Sequence, residues 1–269
     1  MALQWLAPAF GLLVGLVLAL TGAGGAIIGV PLLVFGLHMS VAQAGPVGLL
    51  AVALAASFGA MLGLRARTLR YKAAGLMAVS GALASPFGLW LAHRLPDRPL
   101  SAVFALVLVA VAWRMLLQSS RDLRGVPPPA AKAPPCRLDP MIGKLHWNRA
   151  CARSLVLAGG AAGFLSGLLG VGGGFILVPT LLAVSDLPMK AVVATSMGVV
   201  ALVSVVGVVN AGLAGVMPWG VAWPFAGGAL IGLLGGRWFA GHLAGPRLQQ
   251  GFAVLSLGIA ASLLVRAAG

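Results

Sequence analysis

The stretch Gly22-Ala23-Gly24-Gly25-Ala26-Ile27-Ile28-Gly29-Val30-Pro31-Leu32-Leu33 returns 148 positions later as Gly170-Val171-Gly172-Gly173-Gly174-Phe175-Ile176-Leu177-Val178-Pro179-Thr180-Leu181. Seven of the twelve aligned positions are identical, so the chain contains an internal repeat. Each copy interrupts a long apolar run with glycines and then Val-Pro. Glycine weakens a helix interior, and proline lacks the N–H that a helix needs, so both runs should bend or stop there. Backbone freed at membrane depth must be satisfied by protein or line a cavity. Matched interruptions in two halves therefore point to the binding site of a transporter.

Composition places the breaks in a membrane. Of 269 residues, 60% are apolar and only 8% charged, the balance of a multi-pass integral membrane protein. Apolar segments fall at 6–37, 41–64, 73–93, 99–118, 154–184, 188–212, 217–240 and 247–265. Between the fourth and fifth lies a basic stretch, 119–152, with the proline-rich run 127–135, which reads as an extended spacer. The expected organisation is a first transmembrane repeat over 1–118, a cytoplasmic linker over 119–152 and a second repeat over 153–269. The N-terminus has no basic n-region, and its first apolar run carries one of the breaks, so it is read as mature protein.

The first segment of each half has an awkward length. Residues 6–37 number 32, about 48 Å as straight helix, against a hydrocarbon core of about 30 Å. Each is either one broken span or a re-entrant hairpin. Loop charge favours the hairpin. Arg65, Arg67, Arg70 and Lys72 place the loop after segment two in the cytoplasm, as does the basic linker. Re-entrant first segments then leave only Arg94, Arg98 and Arg266 outside, fewer than full spans would. The expected fold is thus all-α, with two inverted repeats.

The net charge of +14 comes from 18 Lys and Arg against four Asp and no Glu, and topology accounts for most of it. The basic residues are scattered over loops without interleaved aromatics, so nucleic acid is not an expected partner. Cys136 and Cys151 lie in the linker; a cytoplasmic linker predicts no disulfide, and their spacing fits no metal site. No acid falls inside a predicted span, which argues against a cation pump. No hydrolytic triad or carboxylate pair is present, so neither an enzyme nor a cofactor or metal site is expected.

What remains is chemistry suited to an anion. Where each chain resumes after its break, Gly24, Gly25 and Ala26, and Gly172, Gly173 and Gly174, lie at a helix N-terminus. There the unpaired N–H groups and the positive end of the helix dipole favour negative charge. Thr195 and Ser196, at the start of segment six, add hydroxyl donors. Ser57, Ser204 and Asn210 read as helix–helix or back-bonded groups. Arg114 and Arg237 read as snorkelling side chains, His38 and His93 as interfacial residues, and Gln43 as an unsupported donor.

The pattern Gly-x-Gly-Gly-x-x-x-x-Val-Pro at Gly22–Pro31 and Gly170–Pro179, with Ala194-Thr195-Ser196-Met197-Gly198 after the second copy, resembles the TauE/SafE family of membrane anion transporters. The likeness covers nearly the whole chain. It implies transport of sulfite, sulfoacetate, organosulfonates or related small acids across a bacterial inner membrane. Gly45-Pro46, aligned with Thr195-Ser196, departs from the family's paired hydroxyls and points to the second half as donor. A passive anion channel and a non-transporting membrane assembly protein are the alternatives.

Overall fold

The computed structural model describes residues 2–21, 26–123, 135–136, 148–243 and 246–268. It is all-helical. In chain order the helices are α1 (Ala2–Thr21), α2 (Ala26–Gly36), α3 (Val41–Arg65), α4 (Tyr71–Arg94), α5 (Asp97–Leu123), α6 (Arg149–Leu169), α7 (Gly174–Val184), α8 (Met189–Leu213), α9 (Trp219–Leu243) and α10 (Pro246–Ala268). Five of the described helices, α3, α4, α6, α8 and α9, are long and apolar enough to cross a bilayer. The two overlong stretches are the helix pairs α1–α2 and α6–α7.

Glycines set the helix packing. On α6, Gly159, Gly163 and Gly167 press against Met77, Gly81 and Ser85 of α4, in rising order along both chains, so these helices run parallel. A side chain at any of the three would overlap α4 backbone. Gly11 and Gly15 of α1 meet Phe225 and Ala229 of α9 in the same parallel manner. Small residues of this kind let membrane helices approach to backbone contact. Gly11 and Gly15 lie 148 positions before Gly159 and Gly163, so the packing repeats with the sequence. In contrast, α3 and α8 run antiparallel: Gly63 faces Ala194, Gly59 faces Met197, and Gly207 faces Leu49. The outer faces are apolar, as on α4, where Val79, Leu83, Phe87 and Trp90 form one exposed stripe. That is the surface a helix presents to lipid.

The α6–α7 pair is a hairpin. Gly170 caps α6 in the left-handed conformation (φ +72°), and the chain turns back so that Gly173 lies against the Ala162 carbonyl. At the outer end, Cys136 is disulfide-bonded to Cys151 of α6, with Cα atoms 4.9 Å apart. The Cys136 N–H donates to the Val184 carbonyl at the end of α7 (3.0 Å). The start of α6 and the end of α7 therefore lie together. Arithmetic agrees: Cys151 to Ala162 and Gly173 to Val184 are each 11 residues, about 16 Å of helix. The α1–α2 pair turns back likewise, with Gly29 beside Val14 and Gly36 against Phe10.

The disulfide corrects the expectation of free cysteines. That expectation came from compartment, whereas the pairing follows from local structure. Asn148 caps α6, accepting from the Cys151 N–H, while its Nδ2 donates to the Pro135 carbonyl (3.1 Å) and draws Cys136 in. Most of the 119–152 linker lies outside the described residues; α5 runs to Leu123 and α6 begins at Arg149.

Helix boundaries correct one alignment. α7 and α2, and α8 and α3, begin and end 148 positions apart. That register sets Thr195-Ser196 opposite Val47-Gly48 and not Gly45-Pro46. The glycine-proline pair had suggested a match by composition alone.

Candidate anion site at the second break

The second break is buried. Gly170, Gly172 and Gly173 all have positive φ (72°, 72° and 66°), which a side chain would strain. A Cβ on Gly170 would overlap the backbone of Gly45 on α3, and Gly48 lies against the Gly170 carbonyl. A Cβ on Gly172 would stand 2.6 Å from Val52 Cγ1 and 3.3 Å from Ser204 Oγ. The break is thus wedged between α3 and α8.

This local path leaves donors free. Gly173 is the N-cap of α7, and its carbonyl accepts from Ile176 and Leu177. The N–H groups of Val171, Gly172 and Gly173 donate to no backbone carbonyl of the described residues. These N–H groups lie at the N-terminus of α7, whose dipole adds positive potential. α7 begins level with Ala162, 13 residues or about 20 Å into α6. The donors therefore lie deep within the bundle.

The other expected residues lie apart from this break. Gly24 and Gly25 fall outside the described residues, and Ala26 opens α2. Gly174 begins α7 and is buried. Thr195 and Ser196 are buried on α8, about two turns nearer its start than Ser204. Thr195 Oγ1 accepts from the Arg70 N–H (3.1 Å), the residue before α4, and its own proton remains available. Ser196 Oγ donates to the Val193 carbonyl (2.9 Å).

Ser85 of α4, Ser166 of α6 and Ser204 of α8 also reach this region, and no sequence motif marks the first two. All fully buried polar residues among those described are serine or threonine; at the basic end the Arg70 Nε is also buried and without a partner among the described residues. At the end where α3 stops and α8 starts, a cleft of about 590 Å³ is lined by Leu18, Gly63, Thr68, Lys190, Met197 and Leu233 among others. It adjoins the α1 approach to the first break. Arg65, Arg67, Arg70, Lys72, Arg149, Arg153 and Lys190 lie at the same end, which we call the basic end; Arg94 and Arg98 lie at the other.

The sequence profile of the family described as "Sulfite exporter TauE/SafE" matches residues 7–263. The chain belongs to this family. It is 26% identical over 241 residues to the "Probable membrane transporter protein YunE" of Bacillus subtilis (strain 168), covering 87% of this chain and 84% of that one. It is 26% identical over 222 residues to a "Probable membrane transporter protein" of Xylella fastidiosa (strain 9a5c), covering 82% and 78%. No solved structure matches significantly. The family and these relatives make the chain a multi-pass membrane transporter.

Proposed function

We propose that this transporter moves a small sulfur-containing anion, of the sulfite, sulfoacetate or organosulfonate class, across a bacterial inner membrane by alternating access. The observation that carries the reading is the second break: a helix N-terminus opening deep in the bundle, with three free N–H groups and no buried carboxylate beside it. The proposed ligands are the N–H groups at Gly172, Gly173 and Gly174, those at Gly24, Gly25 and Ala26, and the hydroxyls of Thr195 and Ser196. In the 148-residue register Ser196 corresponds to Gly48, which touches the second break, so Ser196 would serve the first. The free proton of Thr195 suits it to donate, whereas Ser196 must first release the Val193 carbonyl.

Inverted repeats with re-entrant hairpins fit the helix directions, since equivalent helices α3 and α8 run antiparallel while α1–α9 and α4–α6 run parallel. The basic end, with residues 119–152, would face the cytoplasm. Alternating access fits better than an open channel because the two breaks differ. Gly170 is sealed against Gly45, while the approach to the first break lines a cleft at the basic end.

The test is uptake and efflux of labelled sulfite and sulfoacetate in inverted and right-side-out vesicles. Accumulation against a gradient supports the transporter. Flux that only dissipates a gradient would indicate a channel. No flux of any sulfonate or sulfite would remove the substrate class.

A further inference from the structure

We infer that Ser85, Ser166 and Ser204 form the hydroxyl wall of the anion site at the second break. They come from three different helices, and each is essentially sealed from solvent, with 0%, 1% and 0% of its surface exposed. None of the three hydroxyls finds a hydrogen-bond partner among the described residues. Hydroxyls in membrane helices ordinarily close onto the carbonyl three or four residues back. Other hydroxyls in this chain do so: Ser80 to Met77, Thr180 to Ile176, Ser185 to Leu181, Ser196 to Val193 and Ser262 to Ile259. Ser85, Ser166 and Ser204 forgo that bond, although burying a hydroxyl unpaired is costly.

Their placement is convergent. A Cβ on Gly172 would come within 3.3 Å of Ser204 Oγ. One on Gly207, less than a turn further along α8, would come within 3.6 Å of Ser85 Oγ. The backbone carbonyl of Ser85 abuts Gly167, the neighbour of Ser166, so α4 and α6 are in backbone contact at this level. Ser166 lies one turn beyond Ala162, on the α6 stripe that meets Gly173, and its carbonyl accepts the Gly170 N–H that closes the helix. Ser85 and Ser204 are 14 and 15 residues into helices of 24 and 25, so the cluster lies well inside the bundle.

The chemistry is that of a donor set for a small oxyanion. Three O–H groups would oppose the N–H groups of Val171, Gly172 and Gly173, and each can rotate toward a ligand oxygen. Neutral donors bind an anion without the strong attraction that a buried Arg or Lys would exert, so release stays easy. The first half lacks this wall: the residues 148 positions earlier or later are Leu18, Ala56 and Leu233. This inference rests on the anion-transport reading and names residues beyond it.

The test uses the full-length protein purified in detergent. Thermal stabilisation is titrated with sulfite, sulfoacetate and acetate for the wild type and for Ser85→Ala, Ser166→Ala, Ser204→Ala and the triple variant. Removing an unpaired hydroxyl should leave the unliganded melting temperature unchanged or raised. Each single variant should weaken anion binding by about tenfold or more, the usual loss for a hydrogen bond to a charged group, and Ser204→Thr should restore part of it. Anion stabilisation of the wild type that survives intact in the triple variant would overturn the inference, leaving the transport reading in place and the hydroxyls as holders of a structural water only. Anion stabilisation absent from the wild type itself would overturn both.

Discussion

Gly170→Ala probes the seal between the second break and α3. The native residue has φ +72°, and an alanine there incurs about 1–2 kcal/mol for the left-handed conformation. The new methyl would also overlap the Cα and carbonyl of Gly45. Those are backbone atoms of a packed helix and cannot rotate away, so overpacking adds about 1–3 kcal/mol. The sum is about 2–5 kcal/mol, which corresponds to a fall in melting temperature of roughly 4–20 °C. The reciprocal change should behave differently. A Cβ on Gly45 would stand 3.4 Å from the Gly170 Cα, tight but tolerable, and Gly45 is helical, where alanine gains about 0.5–1 kcal/mol. Differential scanning fluorimetry of both variants in one detergent measures the contrast, with Gly160→Ala as control, since a Cβ there meets nothing within 4 Å. If Gly170→Ala melts within about 2 °C of wild type, the break does not rest on α3 and the sealed arrangement is wrong.

Further expectations follow from single contacts. Gly227→Ala should be neutral or slightly stabilising, whereas Gly228→Ala, whose methyl would overlap the Pro8 carbonyl, should lose about 1–3 kcal/mol; thermal melts of the neighbouring pair read it. Thr195→Val removes the acceptor of the Arg70 N–H and should cost about 1–3 kcal/mol in the same assay, while Thr195→Ser should not. Under oxidising conditions the Cys136–Cys151 bond closes a loop of about 15 residues, so reduction should lower stability by about 3 kcal/mol. In intact cells a cytoplasmic basic end should leave a cysteine placed at the exposed Lys72 (Lys72→Cys) open to a membrane-permeant maleimide and closed to an impermeant one; labelling by the impermeant reagent would put that end outside.

The segment pattern was legible because apolar runs and Gly-Pro interruptions are local signals. The break at Gly170–Gly173 announced itself by repetition. Other parts of the site depend on neighbours that a single stretch does not reveal. Gly159 and Gly163 look like ordinary membrane glycines until α4 is laid against them. Ser85 and Ser166 look like back-bonded hydroxyls, and only the tertiary fold leaves them without that carbonyl. Ser204 looks structural for the same reason. A compartment argument does not see the cysteine pair, because Asn148 supplies the local turn that joins them. The Gly45-Pro46 alignment slipped by two residues because composition, unlike helix boundaries, carries no register.

The repeated backbone and the unrepeated hydroxyls lead to an asymmetric view of transport. A two-fold arrangement of hairpins gives two equivalent shapes, so the halves can exchange conformations at little net cost. Chemistry on both breaks alike would then hold the anion equally from either side. Here Leu18 and Leu233, the counterparts of Ser166 and Ser85, line the cleft at the basic end. An anion in that cleft meets mostly apolar walls with Lys190 among them, a passage leading to the first break's proposed N–H groups and Ser196, which lack a hydroxyl wall of their own. The hydroxyls and free N–H groups lie across the centre, at the break sealed on Gly45. Transport under the proposed scheme thus consists of drawing the anion past leucines to one polar half-site and then parting Gly170 from Gly45. The expected signature is kinetic: Leu18→Ser should slow turnover by adding a second polar stop while leaving binding at the Ser85, Ser166 and Ser204 cluster unchanged. If Leu18→Ser alters anion affinity as strongly as Ser204→Ala does, the two breaks share one site and the division between passage and half-site fails.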